Sequence, residues 1–251
     1  MSLVFTRVIA SAARFVTFFV SGNLVSLILV SLIVALLAGF SGLTGAALAQ
    51  DDRQNEPGKF DFYMLVLSWS PSFCAESAER YPSRAGRNPQ CGPRPFSFVV
   101  HGLWPQYERG FPEFCQVPSP RLNRNTVTAM LDLMPAPGLI YHEWDRHGTC
   151  SGESAGAYFE TIRKARAVVK IPPEFLNLQS TITVSPDEVE EAFIKANPGL
   201  TREGMSKTYG RRRLDEVRIC MTPDLQFRAC EEVSRRSCKR DRLAMPPVRG
   251  G

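Results

Sequence analysis

The chain has 251 residues, 30 Lys and Arg against 25 Asp and Glu, seven cysteines and only three histidines. Arg7 and Arg14 lie in its apolar leader, which leaves 28 cations against 25 anions, a mildly positive mixed-charge surface that admits a polyanionic substrate without demanding one. No two cysteines stand as C-x-x-C, which excludes a zinc ribbon or a thioredoxin-like motif, and the length beyond residue 50 suits a single domain.

Residues 1–49 read as a signal peptide. Arg7 and Arg14 make a basic start, no acidic residue precedes Asp51, and the apolar run is densest from Leu24 to Leu37. Ala47-Leu48-Ala49 has the A-x-A form of a cleavage site. The apolar run is also long enough to be an uncleaved anchor, but the cleavage-site chemistry favours removal after Ala49. The mature chain is then expected in the periplasm or the medium, without stable membrane association. Disulfides form in such compartments, and an odd cysteine count leaves one unpaired or joined to another chain.

Phe60–Trp69 is aromatic and branched and ends at Pro71, so it reads as a buried strand. Phe96–His101 reads as a second strand. The Ser, Arg, Pro and Asn residues between them read as a loop that Cys74 and Cys91 could staple. Tyr107–Arg124 reads as loop. Asn125–Met134 reads as a short helix ended by Pro135-Ala-Pro-Gly138, and His142 to Cys150 as a second helix. A longer helix is expected over Glu153–Lys170. Ser185-Pro-Asp-Glu188 is a helix start with Ser as N-cap, and that helix stops at Asn197-Pro-Gly199. Leu214–Met221 and Leu225–Cys230 read as a hairpin around Thr222-Pro-Asp224. Residues 239–251 read as a disordered basic tail. Strands and helices mix without regular βαβ alternation, which makes the fold class α+β.

The chemistry is concentrated in two stretches that hold all three histidines, Phe98-Val-Val-His-Gly-Leu-Trp-Pro105 and Tyr141-His-Glu-Trp-Asp-Arg-His-Gly-Thr-Cys150. Histidine alone gives and takes protons near neutral pH with an unperturbed pKa. On a helix, Glu143, Arg146 and His147 share a face, and His142 lies four residues from Arg146. Trp144 turns toward the core and Asp145 toward solvent. His101 stands beside Gly102, which lets a ligand or turn approach closely. Two imidazoles around a cation suit cleavage of a phosphodiester by its own neighbouring hydroxyl. One takes the proton of the attacking group, the other protonates the leaving oxygen, and the guanidinium stabilises the transition state.

Rival chemistries fit less well. His142 and His147 are five apart, one residue too many for the H-E-x-x-H zinc clamp. A Ser-His-Asp hydrolase is set aside on the expectation that the chain holds no G-x-S-x-G elbow. A P-loop is absent as well. No cofactor or metal is expected.

His101-Gly-Leu-Trp-Pro105 and His142-Glu-Trp-Asp-Arg-His-Gly-Thr-Cys150 resemble the two active-site segments of the ribonuclease T2 family, the secreted base-nonspecific endoribonucleases. Leu67-Ser-Trp-Ser-Pro-Ser-Phe-Cys74 is similar to the family's first strand and first cysteine. The resemblance runs from about Phe60 to Cys230. It implies a catalytic domain over residues 50–238, monomeric, with a central, mainly antiparallel sheet flanked by helices and stapled by disulfides. It implies His147 as general base, His101 as general acid, His142 as a phosphate ligand, and Glu143 and Arg146 as transition-state stabilisers. Arg146 departs from the family's usual lysine; charge is kept while reach and hydrogen-bond geometry change. Trp104, with Pro105 and Gln106, is implied to bind a base by stacking, and the family's base-binding aspartate has no clear counterpart near Gln106. The implied substrate is single-stranded RNA. The implied disulfides are Cys74–Cys91, Cys115–Cys150 and Cys220–Cys230, with Cys220–Cys238 as the alternative to the last.

Overall fold

The central strand has nowhere to put a polar residue. In the computed structural model, which describes residues 53–84 and 86–248, β1 (Phe62–Trp69) is buried at every position but Ser68. It lies between β2 (Phe98–Gln106) and β5 (Arg213–Met221), antiparallel to both. Its near-continuous apolar run follows from having both faces covered. One face carries α4 (Ala155–Val168), which turns Tyr158, Phe159, Ile162 and Ala165 inward. The sheet order is β2-β1-β5-β6-β3, with β3 at Ile182–Val184, β6 at Leu243–Met245 and β4 (Met205–Gly210) paired to β5. Only the β5–β6 contact is parallel, so the sheet is mainly antiparallel and the fold is α+β. The described residues belong to one compact unit, and none of their helices is long and apolar enough to cross a membrane. The signal-peptide reading of residues 1–49 falls outside the described residues.

Two helices correct the sequence reading for one reason. Pro71 and Pro137 each open a helix, because a proline's missing N–H costs nothing in the first turn. α1 is Ser70–Arg80, where a loop was expected, and α3 is Pro137–Arg146, which starts before His142 and stops before Cys150. Gly148–Cys150 is a single 3-10 turn. α2 (Arg124–Met130) starts at Asn123, whose side chain accepts the Asn125 N–H, and ends sooner than expected. α5 (Pro186–Ala196) has the full capping box of Ser185 and Glu188.

The hairpin partner of β5 also differs. β4 and β5 are joined by Arg211 and Arg212, both at positive φ (45° and 72°). A two-residue turn of that hand matches the twist of the strands, but Arg-Arg lacks the glycine or asparagine that advertises it. The expected arm 225–230 meets the end of β5 through an isolated bridge, Met221 to Phe227, and two flanking bonds, from the Thr222 N–H to the Gln226 carbonyl and from the Arg228 N–H to the Cys220 carbonyl, and forms no strand. α6 (Glu231–Arg235) follows.

The tail expected to be disordered instead forms a strand over Leu243–Met245 and is bonded as far as Val248, whose N–H donates to the Leu178 carbonyl. Leu243 and Met245 are fully buried, β6 pairs with β3, and the Trp69 indole N–H donates to the Pro246 carbonyl at 3.2 Å. The charges of Lys239–Arg242 obscured two alternating apolar residues that the core takes up. Cys74–Cys91, Cys115–Cys150 and Cys220–Cys230 are disulfides, and Cys238 is free.

Candidate active site

The register of β2 against β1 slips once. Val66 faces Gly102 and Leu67 faces Val100, so His101 is the extra residue of a bulge. A bulge re-aims one side chain out of the pleat, and here it turns an imidazole into a cleft of about 420 Å³. His101, Trp104, His142, Glu143, Arg146 and His147 all line that cleft. Trp144 does face the core, its indole N–H bonded to the Pro120 carbonyl at 2.7 Å. Asp145 accepts a bond from the Ser119 hydroxyl.

His147 is the C-cap of α3, its N–H donating to the Glu143 carbonyl at 3.0 Å. Its ring is 5% exposed and stacks on Trp104, with centroids 4.7 Å apart and planes 18° apart. Its Nδ1 is buried without a hydrogen-bond partner among the described residues. Burial, with the positive field of Arg146, His142 and His101, pushes its pKa down to about 3. These surroundings hold His147 in its neutral form near neutral pH.

His101 is poised the other way. Burial works against its charge, but the hydrogen bond and charge of Glu216 and the charge of Glu143 outweigh it and raise its pKa above the usual value. The Nδ1–Oε1 distance to Glu216 is 2.6 Å, and Nε2 lies 3.5 Å from Glu143 Oε1. Arg218 holds the other Glu216 oxygen through Nε and Nη2, at 2.9 and 2.7 Å. Those two β5 residues were missed from sequence. Glu216-Val-Arg218 alternates as any strand does, and only pairing with β1 brings it to His101.

Glu143 is fully buried, and burial pushes its pKa up to about 7, against the pull of His101 and the Trp104 hydrogen bond. The Trp104 indole N–H donates to Glu143 Oε2 at 2.6 Å. The carboxyl occupies the space a side chain at Gly102 would need: a Cβ there would lie 2.0 Å from Glu143 Oε2 and 2.4 Å from Trp104 Nε1. Gly102 thus makes room for Glu143 rather than for a turn.

Arg146 donates through Nε (2.9 Å) and Nη2 (2.8 Å) to one oxygen of Glu113. The Phe114 N–H donates to the Arg146 carbonyl, and Cys115–Cys150 fastens that loop to the end of the helix segment. His142 is exposed at the cleft wall. Pro105 is buried in β2 and does not line the cleft. Gln106 does, but its amide donates to the Pro105 carbonyl. The face of Trp104 lies on His147, while Phe111, 42% exposed, presents a free aromatic ring at the cleft.

One expectation about rival sites needs correction, since Gly152-Glu-Ser154-Ala-Gly156 does spell G-x-S-x-G. It is no nucleophile elbow. It follows a 3-10 turn rather than a strand, and the Ser154 hydroxyl accepts the Ala157 N–H as N-cap of α4.

Strand β2 and the end of α3 thus bring two oppositely poised imidazoles, a carboxyl with a raised pKa and a guanidinium to one cleft, an arrangement able to move protons beside an anionic group. The sequence pattern of the Ribonuclease T2 family matches residues 60–230, and the chain belongs to that family. A ribonuclease of Aeromonas hydrophila is 44% identical over 176 residues, covering 68% of this chain and 76% of that protein. A probable ribonuclease of Haemophilus influenzae is 33% identical over 186 residues, covering 71% of this chain but only 64% of that protein, less than two thirds of its length. The fold resembles that of an RNase-related protein from Calystegia sepium, with TM-score 0.58, 19% identity, and coverage of 76% of this chain and 98% of that one.

Proposed function

We propose that the chain is an endoribonuclease that cleaves single-stranded RNA with little base specificity. The ribose 2′-hydroxyl attacks the adjacent phosphorus, and His147 takes its proton. The bond from phosphorus to the 5′-oxygen breaks as His101 protonates that oxygen, leaving a 2′,3′-cyclic phosphate. Water then opens the ring with the two roles exchanged, giving a 3′-phosphate. The observation that carries this reading is the opposite poise of the two histidines on one cleft, one pushed by burial toward its neutral form and the other drawn by Glu216 toward its charged form. A protonated Glu143 can donate to a non-bridging phosphoryl oxygen where a carboxylate would repel it, and its pKa of about 7 keeps that form available. Arg146, its Nε and Nη2 anchored by Glu113, adds a cation whose Nη1 is left to reach the phosphoryl group, and exposed His142 meets the flanking phosphate.

Low base specificity fits a site with one free aromatic face, at Phe111, since stacking accepts any base. The nucleophile belongs to the substrate, so the reaction needs no metal-generated hydroxide. We place the enzyme, as a monomer, in the periplasm or outside the cell, free of the membrane once the leader is removed. The expected leader and the three disulfides support this.

The test is incubation of the chain without its leader with RNA in EDTA, with analysis of product ends. Cyclic phosphates early and 3′-phosphates late are expected, and a fully 2′-O-methylated strand stays intact. Products with 5′-phosphates, or cleavage of the methylated strand, would mean that water attacks first, and the two-histidine mechanism would fall.

A further inference from the structure

We propose that Glu216 and Arg218 are positioning residues for His101: Glu216 anchors the Nδ1–H, so that Nε2 is the nitrogen that delivers the proton, and Arg218 locks Glu216 in that pose. The inference rests on the ribonuclease reading above and adds two residues to it.

The geometry is that of an orienting carboxylate behind a catalytic imidazole. A carboxylate oxygen 2.6 Å from Nδ1 accepts a hydrogen bond from the Nδ1–H, which fixes the tautomer and leaves Nε2 toward Glu143 and the cleft. Glu216 has one free oxygen to be held, and Arg218 holds it with two donors from the next residue on the same face of β5. The strand pairing makes this rigid, because Ser68 of β1 faces Glu216 directly. Glu216 is 6% exposed, so its attraction for an imidazolium is little screened by water. Arg218 also lies over Trp104, 5.5 Å from the ring centroid, which couples the clamp to the platform under His147.

A buried ion pair at this position could serve folding alone, so the test must read the imidazole itself. The groups that act on His101 are Glu216, Arg218 and Asp215 of β5, Glu143 of α3, His147 at its end, and the Ser68 hydroxyl 3.5 Å from Nδ1. Of these, Glu216 makes the short bond. The chain has three histidines, so each can be followed by NMR during a pH titration. In Glu216→Gln the His101 midpoint should fall by about 1 unit or more. The alkaline limb of kcat on a dinucleotide should move down with it. kcat should fall by about 10-fold to 10²-fold while KM stays within about twofold, because only the proton donor is disturbed. Glu216→Asp should recover much of the His101 midpoint. Arg218→Gln serves if Glu216→Gln does not fold: the Arg218 charge itself lowers the His101 pKa, so its removal does not lower the midpoint, but the unclamped Glu216 should lower kcat several-fold while KM stays within about twofold. An unchanged His101 midpoint in folded Glu216→Gln, or an unchanged kcat in folded Arg218→Gln, overturns the proposal. A shifted midpoint with an unmoved alkaline limb overturns the catalytic role of the dyad and of His101 as acid. Failure of the wild-type chain to cut any RNA would overturn the ribonuclease reading instead, and the His101 titration would still report on the dyad.

Discussion

His147→Gln should make the protein more stable in acid while removing its activity. The native imidazole titrates at about 3, whereas in the unfolded chain it returns to its ordinary value of 6.5. Below the ordinary value the unfolded chain binds a proton that the native state refuses. Wild-type stability is therefore lost as pH falls through the window from 6.5 to 3 and is fully retained above it. At pH 4 the mismatch spans ~2.5 units at 1.36 kcal/mol each, or about 3 kcal/mol, from which glutamine is exempt. The conversion is fair because the ring is 5% exposed. Lost stacking on Trp104 costs the variant the same at every pH, so it cancels in a comparison of two pH values. The assay is urea unfolding of both proteins, disulfides intact, at pH 4 and pH 8. The variant should gain about 3 kcal/mol relative to wild type between pH 8 and pH 4. Parallel pH dependence in the two proteins would show that His147 is not held neutral by its surroundings, and its assignment as base would lose its support.

Three further outcomes follow from the site. His101→Ala and His147→Ala should each lower kcat by roughly 10²–10⁴-fold with near-normal folding, whereas His142→Ala should raise KM more than it lowers kcat; steady-state kinetics on a dinucleotide separates the two patterns. Gly102→Ala should inactivate more than it destabilises, because the new methyl displaces the Glu143 carboxyl, and a thermal melt beside an activity assay distinguishes the losses. Replacing Cys115 and Cys150 by serine should cost about 4 kcal/mol on the loop-entropy account for a 35-residue separation and free the Glu113–Phe114 loop from Arg146; an unchanged urea midpoint would contradict it.

What could be read from the chain depended on whether neighbours in sequence are neighbours in space. The α3 residues met this condition. His142, Glu143, Arg146 and His147 fall within two turns, and helical spacing alone brings them to one wall of the cleft. Capping at Ser185 was legible for the same reason, since Ser185 and Glu188 complete each other's bonds three residues apart. Proline was misread where its meaning depends on direction: Pro71 and Pro137 look like terminators from the N-terminal side and act as helix starts from the other. The bulge at His101 and the turn at Arg211-Arg212 are backbone choices enforced by pairing, and neither carries a residue that announces it. Trp104 was legible as a site residue but not in its role, because its ring is already stacked on His147 and its N–H already spent on Glu143.

The same condition explains why the partner of the proposed acid was invisible while the proposed acid itself was plain. His101 and Glu216 are 115 residues apart, and each sits in a strand whose own pattern is satisfied without the other. A base held neutral by burial and stacking needs only its local surroundings, which the helix end and Trp104 supply. The proposed acid, drawn toward its charged form in a partly buried site, needs a counter-charge, and a lone carboxylate there would itself resist burial. Arg218 resolves that cost on Glu216 by pairing its second oxygen. The two halves of the proposed proton-transfer pair therefore place different demands on the fold. The base could be assembled from one chain segment and its platform, but the acid required the central strands of the sheet to be in register.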